Sequence, residues 1–221
     1  MGDRQATAVS GLAATVFGVA SFALLGTLPE TNDGGQRLTH YITDHRSALL
    51  AASITLVLSS VCGLAFFVNL WRHLRAGPRS TRSADLGLAG SLLLFAMVAT
   101  AAGSLQAAAF ISGRHGGLPP VLADGLAGVF VAVFNLSAAP TLLLAGGFGL
   151  ALLRTQTRRW PGPSLLLVGI CHLGALASVA NSGALAPAGT FTYAAPAAYT
   201  LWILAISVAL LRSPASQPLA R

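Results

Sequence analysis

The sequence predicts an all-α polytopic membrane bundle of about six transmembrane helices, with both termini cytoplasmic. Its composition is the first of three observations behind that prediction. Hydrophobic residues make up 54% of the 221-residue chain and charged residues only 9%, whereas soluble domains carry about 25% charged residues. The second is length. A bilayer core about 30 Å thick takes about 20 helical residues at about 1.5 Å each, and residues 7–28, 47–71, 86–111, 122–153, 163–183 and 192–212 are six apolar stretches of at least that length. The third is the placement of arginine at alternate ends of those stretches, since cytoplasmic flanks retain positive charge during insertion.

The first stretch follows Arg4 as a secretory signal would, but its apolar run exceeds the about 7–15 residues of an h-region. No small-x-small cleavage site follows, so it is expected to stay as the first span. The segment 29–46 then reads as an outer connection, 72–85 as an inner one, 112–121 as outer, 154–162 as a short inner one and 184–191 as outer. With that alternation, Arg4, Arg72, Arg75, Arg79, Arg82, Arg154, Arg158, Arg159, Arg212 and Arg221 fall inside, and Arg37, Arg46 and Arg114 outside. Aromatic residues agree with this sidedness: Trp71 and Trp160 sit at inner ends and Tyr41 and Tyr193 at outer ends, where amphipathic rings favour the headgroup zone. None of the connections is long enough to form an extramembrane domain, so residues 1–221 read as a single transmembrane domain.

The fourth span is the least regular, containing Asp124, Asn135, Ser137 and Pro140. Pro140 cannot donate to the Leu136 carbonyl, which predicts a kink, with Ser137 or a neighbouring helix able to satisfy the freed group. Helices in lipid associate through close backbone approach. Ala14 with Gly18, Gly87 with Gly90 and Ser91, and Gly146, Gly147 and Gly149 are therefore expected at interfaces, either within the bundle or between two copies.

A net charge of +7 and a pI near 11.0 point to nucleic acid only if the basic residues share one accessible surface. Here they flank apolar segments, so the expected partners are the lipid bilayer and a membrane-protein partner or a second copy of the chain, with no nucleic acid. All 13 basic residues are arginine, a bias that points to a GC-rich bacterial genome and hence to the bacterial plasma membrane. The run Trp71-Arg72-His73-Leu74-Arg75, continuing to Arg79 and Arg82, sets topology, and contact with anionic lipid follows as a by-product. Cys62 and Cys171 lie within apolar runs and are expected to pack as small hydrophobes rather than form a disulfide.

Polar groups inside hydrocarbon cost free energy, so they should face the bundle interior or a wet cavity. Gln106, Asn135 and His172 are the intramembrane candidates. One expectation is a hydrogen bond between His172 and Asn135, either as a packing contact of about 1 kcal/mol or as part of a polar path beside the Pro140 kink. A second group gathers at the outer side: Glu30, Asp33, His40, Asp44, His45, His115 and Asp124. Imidazoles and carboxylates suit zinc, and His40 and Asp44 would share a helical face, but His45 is rotated about 100° from Asp44. The competing reading of this group is a solvated interfacial segment anchored by Leu38, Ile42 and Leu49. His172 is the one histidine well inside a span, which argues against bis-histidine haem. The sequence contains no G-x-S-x-G, H-E-x-x-H, C-x-x-C or phosphate-binding glycine loop. No cofactor is expected.

Two passages carry a resemblance. Tyr41-Ile42-Thr43-Asp44-His45-Arg46 leads into the second span, and Arg154-Thr155 followed by Arg158-Arg159-Trp160-Pro161-Gly162 leads into the fifth. In these and in helix number and loop placement the chain resembles six-helix actinobacterial integral membrane proteins classed as a domain of unknown function, a family that supplies no catalytic or binding residue. It does not match the membrane hydrolases that bind zinc through an intramembrane Ser, Asp and His set: His40 and His45 are five apart, and no second histidine lies three or four residues from His115 or His172. The leading functional expectation is a non-enzymatic scaffold or regulatory partner in the membrane. The alternatives are a transporter or channel using Asn135, Pro140 and His172, and a metal-dependent membrane enzyme using the outer His and Asp residues.

Overall fold

In a computed structural model, which describes residues 3–29, 35–75, 81–114, 116–155, 160–176 and 190–212, every regular element is helical. These are α1 (Asp3–Leu25), α2 (Gly35–Asp44), α3 (Arg46–Arg75), α4 (Thr81–Ser112), α5 (Pro120–Leu136), α6 (Ala138–Thr155), α7 (Pro161–Leu176) and α8 (Thr190–Arg212). No strand occurs among the described residues. Five segments are long and apolar enough to cross a membrane: Arg4–Leu25, Arg46–Arg75, Arg82–Ser112, Pro120–Thr155 and Ala194–Arg212. α7 is apolar but shorter, and its 16 described residues rise about 24 Å. Val16, Val61, Ile170 and Leu201 are each more than 60% exposed on the outward faces, a surface suited to lipid rather than water.

α1 packs on α3, α3 on α4, α4 on α6, α6 on α7, α7 on α8, and α8 returns to α1. Six helices thus close a ring in chain order. Paired contacts show that neighbours run antiparallel. The Ser21 hydroxyl donates to the Ala52 carbonyl and the Ser59 hydroxyl to the Ala14 carbonyl, both at 2.8 Å, so α1 rises as α3 descends. Gly11 lies beside Ser207 and, further along α1, Thr15 lies near Thr200 and Ile203, so α8 descends against α1 as well. One end of the bundle carries Arg4, Arg72, Arg75, Arg82, Arg154 and Arg212, and the other carries Arg37, Arg46 and Arg114. Arg79, Arg158, Arg159 and Arg221 fall outside the described residues.

Close backbone approach sets the α4–α6 seam. A Cβ on Gly90 would fall against the backbone of Leu144, and one on Gly147 against the backbone of Gly87, so only glycine allows these helices to come so near. Gly18 faces Ser59 and Gly149 faces Leu166, likewise inside the bundle. Gly146 differs from the rest of its group, because nothing lies within 4 Å of where its Cβ would be.

The core has two halves. Near the end with fewer arginines, Leu25, Leu38, Ile42, Leu49, Leu105 and Phe130 are packed together. Near the arginine-rich end, Phe67 is the hub, with Phe148, Tyr199 and Trp202 stacked about it at centroid distances of 5.3, 6.1 and 6.4 Å and Phe66 edge-on at 5.0 Å. Such ring pairs add about 0.5–1.5 kcal/mol each beyond area burial.

The segment 29–46, read from sequence as a connection, contains a helix of its own. α2 buries Leu38 and Ile42 against α5 and α4 and leaves its polar face outward. It is pinned to α1, because the Tyr41 hydroxyl donates to the Leu25 carbonyl at the α1 terminus. Gly26, at φ +62°, ends α1 in the left-handed conformation that glycine adopts without penalty. The fourth span is divided. α5 stops at Leu136 and α6 resumes at Ala138, so the irregularity predicted at Pro140 falls less than a turn before it. The Ser137 hydroxyl serves the Phe134 carbonyl at 2.5 Å rather than that of Leu136.

Candidate functional site

His172 is buried on α7. Its Nδ1 lies 2.8 Å from the Val168 carbonyl; a carbonyl only accepts, so the ring donates from Nδ1 and keeps Nε2 as its other polar atom. Its edge meets the Tyr199 ring at 6.4 Å. Among the described residues no hydrogen bond joins His172 to Asn135, so the interhelical pair expected from sequence does not form. Asn135 and Gln106 are both half-buried, on α5 and α4. Pro140 is buried in the α6 face that meets Gly90 of α4, so it belongs to the helix seam.

The polar feature the structure brings together lies elsewhere, in a cavity of about 30 Å³ among α1, α3, α4 and α8. Thr15, Ser59, Phe95, Tyr199 and Thr200 contribute to its wall. Each stands near the midpoint of its helix, so the cavity sits at the middle of the bundle. Three of the hydroxyls spend their protons on carbonyls: Thr15 on Gly11 at 3.0 Å, Ser59 on Ala14 at 2.8 Å and Thr200 on Pro196 at 2.8 Å. The Tyr199 hydroxyl is buried and has no hydrogen-bond partner among the described residues. Sequence reasoning missed this group because serine and threonine within apolar spans commonly bond their own helix. Tyr199 itself was the available signal, since a tyrosine at mid-span lies away from both headgroup zones.

At the end with fewer arginines, the expected cluster is only partly assembled. His40 Nε2 pairs with Asp44 Oδ2 at 3.2 Å one turn apart on the exposed face of α2. His45 turns away from them, with Nδ1 3.0 Å from the Tyr41 carbonyl and its ring stacked on Tyr41 at 4.4 Å. Asp124 is exposed on α5. No group of three or more His, Cys, Asp or Glu comes together among the described residues; Glu30, Asp33 and His115 lie outside them. Cys62 and Cys171 are both free thiols, and Cys171 is exposed on the outward face of α7 rather than packed inside.

At the arginine-rich end an acid that the sequence reading passed over organises the basic run. Asp85 Oδ1 accepts from the Trp71 indole at 2.8 Å and lies 3.9 Å from the Arg75 guanidinium, which in turn covers the Trp71 ring at 5.3 Å. Arg154 donates to the Ser83 hydroxyl at 3.0 Å, tying α6 to α4. Arg72 and Arg82 are exposed. At the opposite end Arg46 donates to the Ala109 carbonyl at 3.0 Å, satisfying a carbonyl in the last turn of α4. Compared with protein-family models, curated proteins and solved structures, the chain matches none.

Proposed function

We propose that the chain is a six-crossing protein of the bacterial plasma membrane, with both termini cytoplasmic, and that it acts without catalysis, as a scaffold or regulatory partner of another membrane protein. The observation that carries the reading is the aromatic packing between the helices: the ring closes on itself around the stacked rings of Phe67, Phe148, Tyr199 and Trp202. What such a fold offers to other molecules is its lateral surface, because its connections are short. The antiparallel order of the ring and the gathering of Arg4, Arg72, Arg75, Arg82, Arg154 and Arg212 at one end support the sidedness. The bacterial setting and the kinship with six-helix actinobacterial proteins rest on the arginine bias and on the Tyr41–Arg46 and Arg154–Gly162 passages.

Two measurements test it. A photoreactive side chain placed at Val129 or Leu93, both outward-facing, should yield a discrete protein adduct in native membranes, and adducts with lipid alone would remove the scaffold reading. In intact cells an impermeant thiol reagent should modify Thr43→Cys from outside and Arg72→Cys only after permeabilisation; the reverse pattern would overturn the sidedness.

The mid-bundle cavity favours a second reading, a route for a small polar solute, because transporters place their sites near the bilayer midplane. Proteoliposomes that exchange solute faster than protein-free vesicles, with the rate lost in Tyr199→Phe, would put this reading first.

A further inference from the structure

We infer that the mid-bundle cavity is a binding site for water, one or two molecules of which bridge the Tyr199 hydroxyl to the hydroxyls of α1 and α3. The size fits: about 30 Å³ holds about two waters. The chemistry narrows the ligand further. Thr15, Ser59 and Thr200 line the cavity and have already donated to the Gly11, Ala14 and Pro196 carbonyls, so each oxygen has only acceptor capacity left. Tyr199 has a buried proton with no acceptor among the described residues. A ligand completing this set accepts one hydrogen bond from Tyr199 and donates to the other hydroxyls. A metal cation cannot accept that proton, and a simple anion cannot donate. A water molecule does both and is small enough to enter.

A hydroxyl without a partner in an apolar interior destabilises the fold, and a bridging water removes that cost. The site also links helices that the ring's direct contacts join unevenly. α1 and α3 already share the Ser59–Ala14 hydrogen bond, whereas Tyr199 brings α8 to the cavity with no direct polar bond to either.

Thermal denaturation of purified Tyr199→Phe, Ser59→Ala and the double variant in detergent tests the inference, because a bridged and a dry hydroxyl give opposite signs. A bridged hydroxyl predicts that Tyr199→Phe lowers Tm by about 2–4 °C and that the double variant falls by less than the sum of the two. A Tm that is unchanged or raised in Tyr199→Phe, or strict additivity, overturns the bridge, since deleting a dry orphan relieves its cost. An experimental map supplies a readout independent of folding: ordered density within hydrogen-bonding distance of Tyr199 Oη supports the site, and an empty cavity overturns it. A Tm that rises with sodium over choline in the wild type but not in Tyr199→Phe would assign the cavity to a cation instead and overturn the inference.

Discussion

Gly146 and Gly147 are adjacent in sequence and opposite in consequence. Gly147 lies against the Gly87 backbone and Gly90 against that of Leu144, whereas Gly146 faces open space. Gly90→Ala is therefore expected to force α4 from α6 at a cost of about 1–3 kcal/mol, lowering the midpoint of thermal denaturation in detergent. Gly146→Ala should leave that midpoint unchanged or raise it, since it gains up to about 1 kcal/mol of helix propensity. Equal losses in the two variants would show that the seam does not depend on close approach. The sequence marks this glycine group as an interface but cannot say which member points inward, because helix phase is fixed only by the partner. The same limit hid the cavity. Thr15, Ser59 and Thr200 come from three helices far apart in sequence, and only ring closure brings them to one wall.

Among the elements, α2 separates the two readings of the outer histidines. Ile42 is 1% exposed against α4 and α5, while the His40 and Asp44 side chains meet solvent. Ile42→Ala should cost about 2–5 kcal/mol. His40→Ala should stay within about 0.5 kcal/mol, since it removes only an exposed pair. Both are readable as shifts in thermal denaturation, and a large loss for His40→Ala would point instead to a ligand held there. The amphipathic pattern of α2 was legible in Leu38 and Ile42; its helical state was obscured because a ten-residue helix with mixed polarity falls below any spanning threshold. The divided fourth span follows the same logic one step further. Pro140 requires that the Leu136 carbonyl lose its usual donor. With Ala in its place the i to i−4 bond can form, so Pro140→Ala should lengthen the distance between spin labels at Gly125 and Leu150, two outward-facing positions. An unchanged distance would assign the break to the surrounding helices.

At the scale of the whole molecule, Phe67 is where separate helices become one body, since its ring meets Phe95 of α4, Phe148 of α6 and both Tyr199 and Trp202 of α8. Phe67→Ala is expected to cost about 3–5 kcal/mol and to open a void at the centre of the ring. Its check is denaturation together with solute leakage from proteoliposomes: lost stability without new leakage is the outcome a sealed, non-conducting bundle predicts. The membrane character of the chain was plain from hydropathy. The order of the helices around the ring was not, because lipid-facing and helix-facing positions are both apolar and no polarity gradient separates them.

Ring closure also orders biogenesis. Of its two neighbours in the ring, α1 meets α3 first in chain order, and the side that carries Gly11 meets Ser207 only once α8 has been made. A polypeptide that ends before residue 190 therefore lacks the helix that covers this side of α1, and such a truncation is expected to be degraded faster in cells than the full chain.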